Sequence, residues 1–168
     1  MRNFRKFYET ATDRDREANI IGRFMVLSGL SKQDILIRAT PPGTAWDYSL
    51  FSGNEIVGLV EIKTRFVSST TYPTLILSAR KVDALLSFTS PNGTNSLPVI
   101  LLVQYTDGLF WTPLNRILLD SCPIQTGGRT DRGDSKDIEP VYHIPVACLQ
   151  PASRLPYVVS LFPHSFRL

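Results

Sequence analysis

From Asp13 to Ser28 apolar residues recur every three or four positions, at Ile20, Ile21, Phe24 and Leu27 with Met25 beside them. That period predicts a helix. Thr12 or Asp13 is placed to cap its start, acidic residues occupy its first turn, and Gly29 follows its end. The period then drops to two. The stretch TAWDYSLFSGNEIVGLVEIKTR reads as two strand-like runs joined by a Ser52-Gly53-Asn54 turn. Leu75 to Leu77 predicts a short strand, and Ser78 caps a second helix. In that helix Val82, Leu85 and Leu86 face the sheet, with Arg80 and Lys81 in the first turn. PVILLVQYTDGLFWTPL returns to strand, and its Thr106-Asp107-Gly108 turn marks a hairpin.

The first hairpin carries the chemistry. Asp47 lies fourteen residues ahead of Glu61-Ile62-Lys63. Strand alternation puts Glu61 and Lys63 on one face, and the hairpin brings Asp47 beside them. A carboxylate and an ammonium are costly to bury idly on a strand rich in Ile, Val and Leu. Together they offer two acidic oxygen ligands for a hard divalent cation and a lysine near its bound water, the minimum for metal-assisted phosphodiester hydrolysis. The residues alone leave a second reading open, a solvated edge-strand pair with Asp47 ending a loop.

In these residues the chain resembles the PD-(D/E)xK nuclease superfamily, whose signature is an acid on one strand and (D/E)-x-K on the next. Asp47, Glu61 and Lys63 match it in turn, with Trp46 in place of the usual proline. The order helix, hairpin, strand, helix, hairpin is also that of the superfamily core. The segment Ser78-Ala79-Arg80-Lys81-Val82-Asp83-Ala84-Leu85 resembles the S-x-(R/K)-K-x-x-x-L helix of phage and archaeal junction-resolvase-type members. The resemblance covers about residues 13–115. It implies a metal site of Asp47, Glu61 and the Ile62 backbone carbonyl, holding Mg2+ or Mn2+. Many members carry a glutamate on the first helix that reaches this site. Glu17 fits by its facing, three and four residues before Ile20 and Ile21, and Glu9 is a weaker substitute. Glu17 also reads as a first-turn acid answering the helix dipole.

Composition narrows this little. A chain of 168 residues with net charge +3 is mildly basic, which does not by itself identify a nucleic-acid binder. The distribution says more: Arg2, Arg5, Lys6, Arg14, Arg16 and Arg23 crowd the N-terminal arm and helix, and Arg129, Arg132 and Lys136 sit in a turn-rich stretch. Arg65, Ser78, Arg80 and Lys81 are candidate phosphate contacts. Cys122 and Cys148 lack a CxxC or paired-histidine context, so no zinc site is expected and both stay reduced. His143 and His164 have no catalytic companion nearby in sequence. No apolar stretch is long enough to span a membrane, and the N-terminus is no secretory signal. The expected location is cytoplasmic, the host cytoplasm if the chain is phage-encoded.

These readings predict an α/β fold of restriction-endonuclease type: one mixed, mainly antiparallel central sheet of four or five strands, flanked by helices on both faces. Residues 1–168 form a single nuclease-like domain, with a core over about 13–115, a mobile loop over about 121–139 and an extension over 141–168 that adds an edge strand. The expected function is a Mg2+- or Mn2+-dependent endonuclease acting on DNA. The alternatives are an inactive module of the same fold that binds nucleic acid or protein, and a structural protein of an assembly. Homo-oligomerisation stays open.

Overall fold

Thr10 opens the first helix, α1 (Ala11–Leu27). Its hydroxyl accepts the Asp13 N–H at 3.2 Å while the Asp13 carboxylate accepts the Thr10 N–H at 3.0 Å. This reciprocal pair satisfies two donors that the helix cannot. The helix therefore begins two residues before the expected Asp13, which is the partner in the cap rather than the cap itself. The computed structural model describes residues 10–32, 34–89, 97–128 and 138–153. Arg2, Arg5, Lys6, Glu9, Arg129, Arg132, Lys136 and His164 lie outside them.

Ile20, Ile21, Phe24 and Met25 are buried as the period requires, but Leu27 is exposed. Gly29, at φ +72°, turns the chain after the last helical residues and folds Leu30 into the core instead. Four strands follow: β1 (Ile35–Ala39), β2 (Tyr48–Ser52), β3 (Glu55–Thr64) and β4 (Thr74–Ser78). The β2–β3 turn is the expected one, with Gly53 at φ +58°. Helix α2 (Ala79–Thr89) starts against Ser78, whose hydroxyl accepts the Lys81 N–H at 3.3 Å. Next come β5 (Val99–Tyr105), β6 (Gly108–Pro113), α3 (Arg116–Asp120), β7 (Ile124–Gly128), β8 (Ile138–Pro145) and the two-residue β9 (Gln150–Pro151).

The central sheet has the order β1-β2-β3-β5-β6-β9. Every pair in it is antiparallel except β3–β5, so it is mixed and mainly antiparallel as predicted. It has six strands rather than four or five. The sequence reading gave no strand to β1, and β4 is not in this sheet at all. Instead β4 pairs with β8 and β8 with β7 in a second, three-stranded sheet. Part of the expected loop over 121–139 is thus strand, in β7 and the start of β8, and 129–137 lies outside the described residues.

Two cores lie on opposite faces of the central sheet. Under α1, Ile20, Ile21 and Phe24 meet Leu50, Val60, Ile62, Ile100 and Leu102. On the other face, Val82 and Leu85 of α2 and Leu75 and Leu77 of β4 meet Leu59, Val99, Leu101 and Val103. Strand β5 is buried almost throughout, as a strand covered on both faces must be. No helix among the described residues is long and apolar enough to cross a membrane.

Candidate active site

Side-chain alternation along β3 decides what each face receives. Val60 and Ile62 point to α1, so Leu59, Glu61 and Lys63 point to α2. Glu61 is completely buried there. Its Oε1 accepts hydrogen bonds from Lys63 Nζ at 2.6 Å and from Lys81 Nζ at 2.7 Å. Its Oε2 is buried with no hydrogen-bond partner among the described residues.

Asp47 stands just before β2, held on all sides by backbone. Its N–H donates to the Val60 carbonyl at 3.0 Å and its carbonyl accepts the Thr40 N–H at 2.9 Å. Its Oδ2 accepts the Ile62 N–H at 2.7 Å, and its Oδ1 lies 3.5 Å from Lys81 Nζ. The Thr40 hydroxyl bonds the carbonyls of Trp46 and Asp47 and so pins the loop from below. Trp46, where the family motif usually has proline, anchors the same loop outward. Its indole donates to Ser49 Oγ at 2.9 Å and its ring packs on Phe88 of α2 with centroids 4.5 Å apart.

The electrostatics follow from burial and pairing. Desolvation and then the Glu61 charge push the Asp47 pKa above its ordinary value, against the pull of Lys81 and Lys63. For Glu61 desolvation acts in the same direction, but the two lysines outweigh it and its pKa falls. Burial alone would lower Lys81, yet Glu61 and Asp47 together raise it, so it stays cationic at neutral pH. Two carboxylates face two ammoniums, and the four formal charges cancel.

Asp47, Lys63 and Lys81 line a cavity of about 1090 Å³, together with Arg14, Arg16, Glu17, Arg65, Phe66 and Arg80, and Glu61 is buried behind them. The profile of a family described as "Phage putative PDDEXK endonuclease" matches residues 3–152. The chain belongs to this endonuclease family. Among solved structures it is similar to the Holliday junction resolvase Hjc of the archaeal hyperthermophile Archaeoglobus fulgidus, at 15% identity and a TM-score of 0.45 over 88% of each chain. No curated protein sequence matches it significantly.

The expected residues are therefore brought together unevenly. Asp47 and Glu61 meet at Lys81, Lys63 pairs with Glu61, and Glu17 lines the cavity beside them. Arg65 lines it too, but its guanidinium donates to the main-chain carbonyls of Thr64 and Ile76 at 3.2 and 3.4 Å. The Ser78 hydroxyl serves as the cap of α2. Arg80 is exposed at the cavity wall. Lys81, expected only as a phosphate contact, is instead ion-paired to both acids. A signal for this was present. Lys81 lies four residues before Leu85 and next to Val82, on the side of the helix that covers the Glu61 face.

A divalent cation fits this donor set. The unpartnered Glu61 Oε2 is the kind of buried anionic atom that a metal satisfies, and Asp47 Oδ1 has one ammonium at the long end of pairing. Among the described residues no three of His, Cys, Asp and Glu form a cluster able to hold a metal. Mg2+ does not need three, since it keeps several waters and is often held by one or two carboxylates.

Proposed function

We propose that the chain is a Mg2+- or Mn2+-dependent endonuclease that hydrolyses phosphodiester bonds of DNA at the floor of this cavity. The observation that carries the reading is Glu61: a fully buried carboxylate with one oxygen held by two lysines and the other without a partner among the described residues. Asp47, Glu61 and the Ile62 carbonyl would hold the metal, with Glu17 reaching it from α1 directly or behind a ligand. A bound divalent cation supplies Lewis acidity and a nucleophilic water near neutral pH.

The chain's own residues do the rest. Lys63, fixed by Glu61, orients the attacking water and offsets charge that develops on the phosphate oxygens. Lys81, held cationic by both acids, faces the same phosphate from α2 and is placed to neutralise the departing oxygen. Arg14, Arg16 and Arg80 line the walls, where guanidinium groups receive the flanking phosphates. The backbone bonds of Asp47 keep one ligand in place before substrate arrives, which lowers the ordering cost of reaching the reactive geometry.

One observation favours a second reading, an inactive module of the same fold. The two lysines already neutralise the two acids, so the cluster holds together without a cation. Incubating the purified protein with linear and branched DNA, with and without Mg2+ or Mn2+, separates the two. Cleavage that needs the metal and disappears in Lys63→Ala supports the nuclease; a band shift without cutting supports the module. Undiminished cleavage by Lys63→Ala sinks the mechanism.

A further inference from the structure

Phe66 is three residues beyond Lys63, and 74% of its surface is exposed. Leaving a phenyl ring in water forgoes one of the larger gains available to a side chain, and the backbone around it is not free to fold the ring away. The Arg65 N–H donates to the Gln104 carbonyl at 2.8 Å, and the Val67 carbonyl accepts the Thr106 N–H at 3.1 Å. Asp107 then bonds the Ser68 hydroxyl and both the N–H and hydroxyl of Ser69. The ring stands on a clamped segment at the rim of the cavity that holds Asp47, Lys63 and Lys81. From α1, the Arg16 guanidinium lies 5.1 Å from its centroid, and Arg16 is itself held by Asp13 at 2.9 Å.

We propose that Phe66, backed by Arg16, is a stacking platform for an unpaired base of the substrate strand. The enzyme would then favour DNA with a splayed or single-stranded nucleotide beside the cleaved bond over fully paired duplex. A flat ring with a cation beside it is the combination that stacks bases regardless of sequence. A base inside a duplex has both faces covered by its neighbours and offers nothing to such a ring, whereas a base at a strand end, flap or branch does. Three residues of extended chain reach at most about 11 Å, and strand rise is about 3.4 Å per nucleotide. The stacked base therefore lies within about three nucleotides of the phosphate at Lys63. Arg14 and Arg80 line the same cavity, where guanidinium groups can take intervening phosphates.

This inference rests on the nuclease reading and is tested so that the two can fail separately. Wild type, Phe66→Ala and Phe66→Trp are compared on one strand presented fully paired or with unpaired nucleotides near the cleavage point, in Mg2+ or Mn2+. Phe66→Ala should lower kcat/KM on the unpaired substrate by about five- to 150-fold, equivalent to 1–3 kcal/mol at 1.4 kcal/mol per tenfold. Cleavage of the paired duplex should fall by much less, and Phe66→Trp should retain the preference. A 2-aminopurine at the unpaired position should be quenched on binding to Lys63→Ala protein in Mg2+, and not when Phe66→Ala is added. Equal losses on both substrates, or no loss on either, would overturn the platform while leaving an active nuclease. Wild-type protein that neither binds nor cuts any DNA overturns both.

Discussion

One strand, β3, has two faces built on the same backbone with opposite chemistry. Toward α1 it presents Val60 and Ile62, packed against Leu50, Ile100 and Leu102. Toward α2 it presents Leu59 and Glu61, both fully buried, and then Lys63, which is half-buried. As far as Glu61 the burial of the two faces is alike and the composition differs. Among the described residues, the core on each side of the sheet also holds a buried polar atom without a partner, Trp111 Nε1 of β6 on the α1 side and Glu61 Oε2 on the α2 side. The indole N–H is neutral, and leaving it unpaired costs about 1–3 kcal/mol. The carboxylate is charged and is kept ionised only because two ammoniums share its other oxygen. The α1 face holds the sheet together, and the α2 face carries a charge-balanced cluster in which one carboxylate oxygen has no partner among the described residues.

Exchanging the two chemistries is the most direct way to break the comparison. Ile62→Asp places a carboxylate on the α1 face, where Ile62 packs among Leu50, Ile100 and Leu102. An unpaired buried charge ranks among the costliest single changes, above about 4 kcal/mol. The variant should fail to show a cooperative melting transition by circular dichroism. Glu61→Gln is the opposite case. It keeps shape and burial and removes the charge, so folding should survive while metal-dependent cleavage falls by at least about 100- to 1,000-fold. If Glu61→Gln unfolds like Ile62→Asp, the α2 face is structural after all.

How much of this contrast was legible in the sequence follows from period and range. The alternation Val57, Leu59, Glu61, Lys63 is local, so one strand with two acid-base residues on one face could be read directly, as could the β5–β6 hairpin at Thr106-Asp107-Gly108. Asp47 was legible because a hairpin of known turn chemistry puts it opposite β3. Strand β1 was not, because ILIRA is short and lacks a clear alternation, and it becomes a strand by pairing with β2. The second sheet joins β4 to β8 across more than sixty residues, a pairing that no local pattern encodes. The ion pairing of Lys81 was not legible for a related reason. Its partners sit on a different element, and only the packing of α2 on β3 brings its ammonium to Glu61.

A smaller change sharpens the account of the α2 face. Burial and the Glu61 charge raise the Asp47 pKa in the folded protein. An acid with a raised folded-state pKa destabilises the fold increasingly as pH rises past its unfolded value, because there the unfolded chain ionises more readily. Asp47→Asn removes that penalty, and an amide oxygen can still accept the Ile62 N–H. The metal-free variant should therefore melt higher than metal-free wild type at neutral pH, with the difference closing as pH falls below about 4. Wild type should gain stability with Mg2+ or Mn2+, by about 2.7 kcal/mol at a hundred times the dissociation constant, and Asp47→Asn should gain nothing. A wild-type melting temperature indifferent to millimolar Mn2+ counts heavily against the metal site.

The smallest effect concerns how the charged end of β3 is held in place. Asp107, at the β5–β6 turn, accepts hydrogen bonds from Ser69 and Ser68, and these hold its pKa down at about 2. A depressed acid contributes stability that is complete above its unfolded pKa, near 4, and is lost as pH falls through about 2. That window separates it from Asp47, whose effect has the opposite sign. Because Asp107 is fully exposed to solvent, salt and water weaken its influence on global stability. The clearer readout is local: amide hydrogen exchange at Val67 to Thr70 should speed up in Asp107→Asn at neutral pH, and in wild type only below about pH 3. Faster exchange confined to this segment would show that the exposed turn positions the approach to Lys63. Exchange that spreads into Val60 and Ile62 would instead tie the two faces of β3 into one unit.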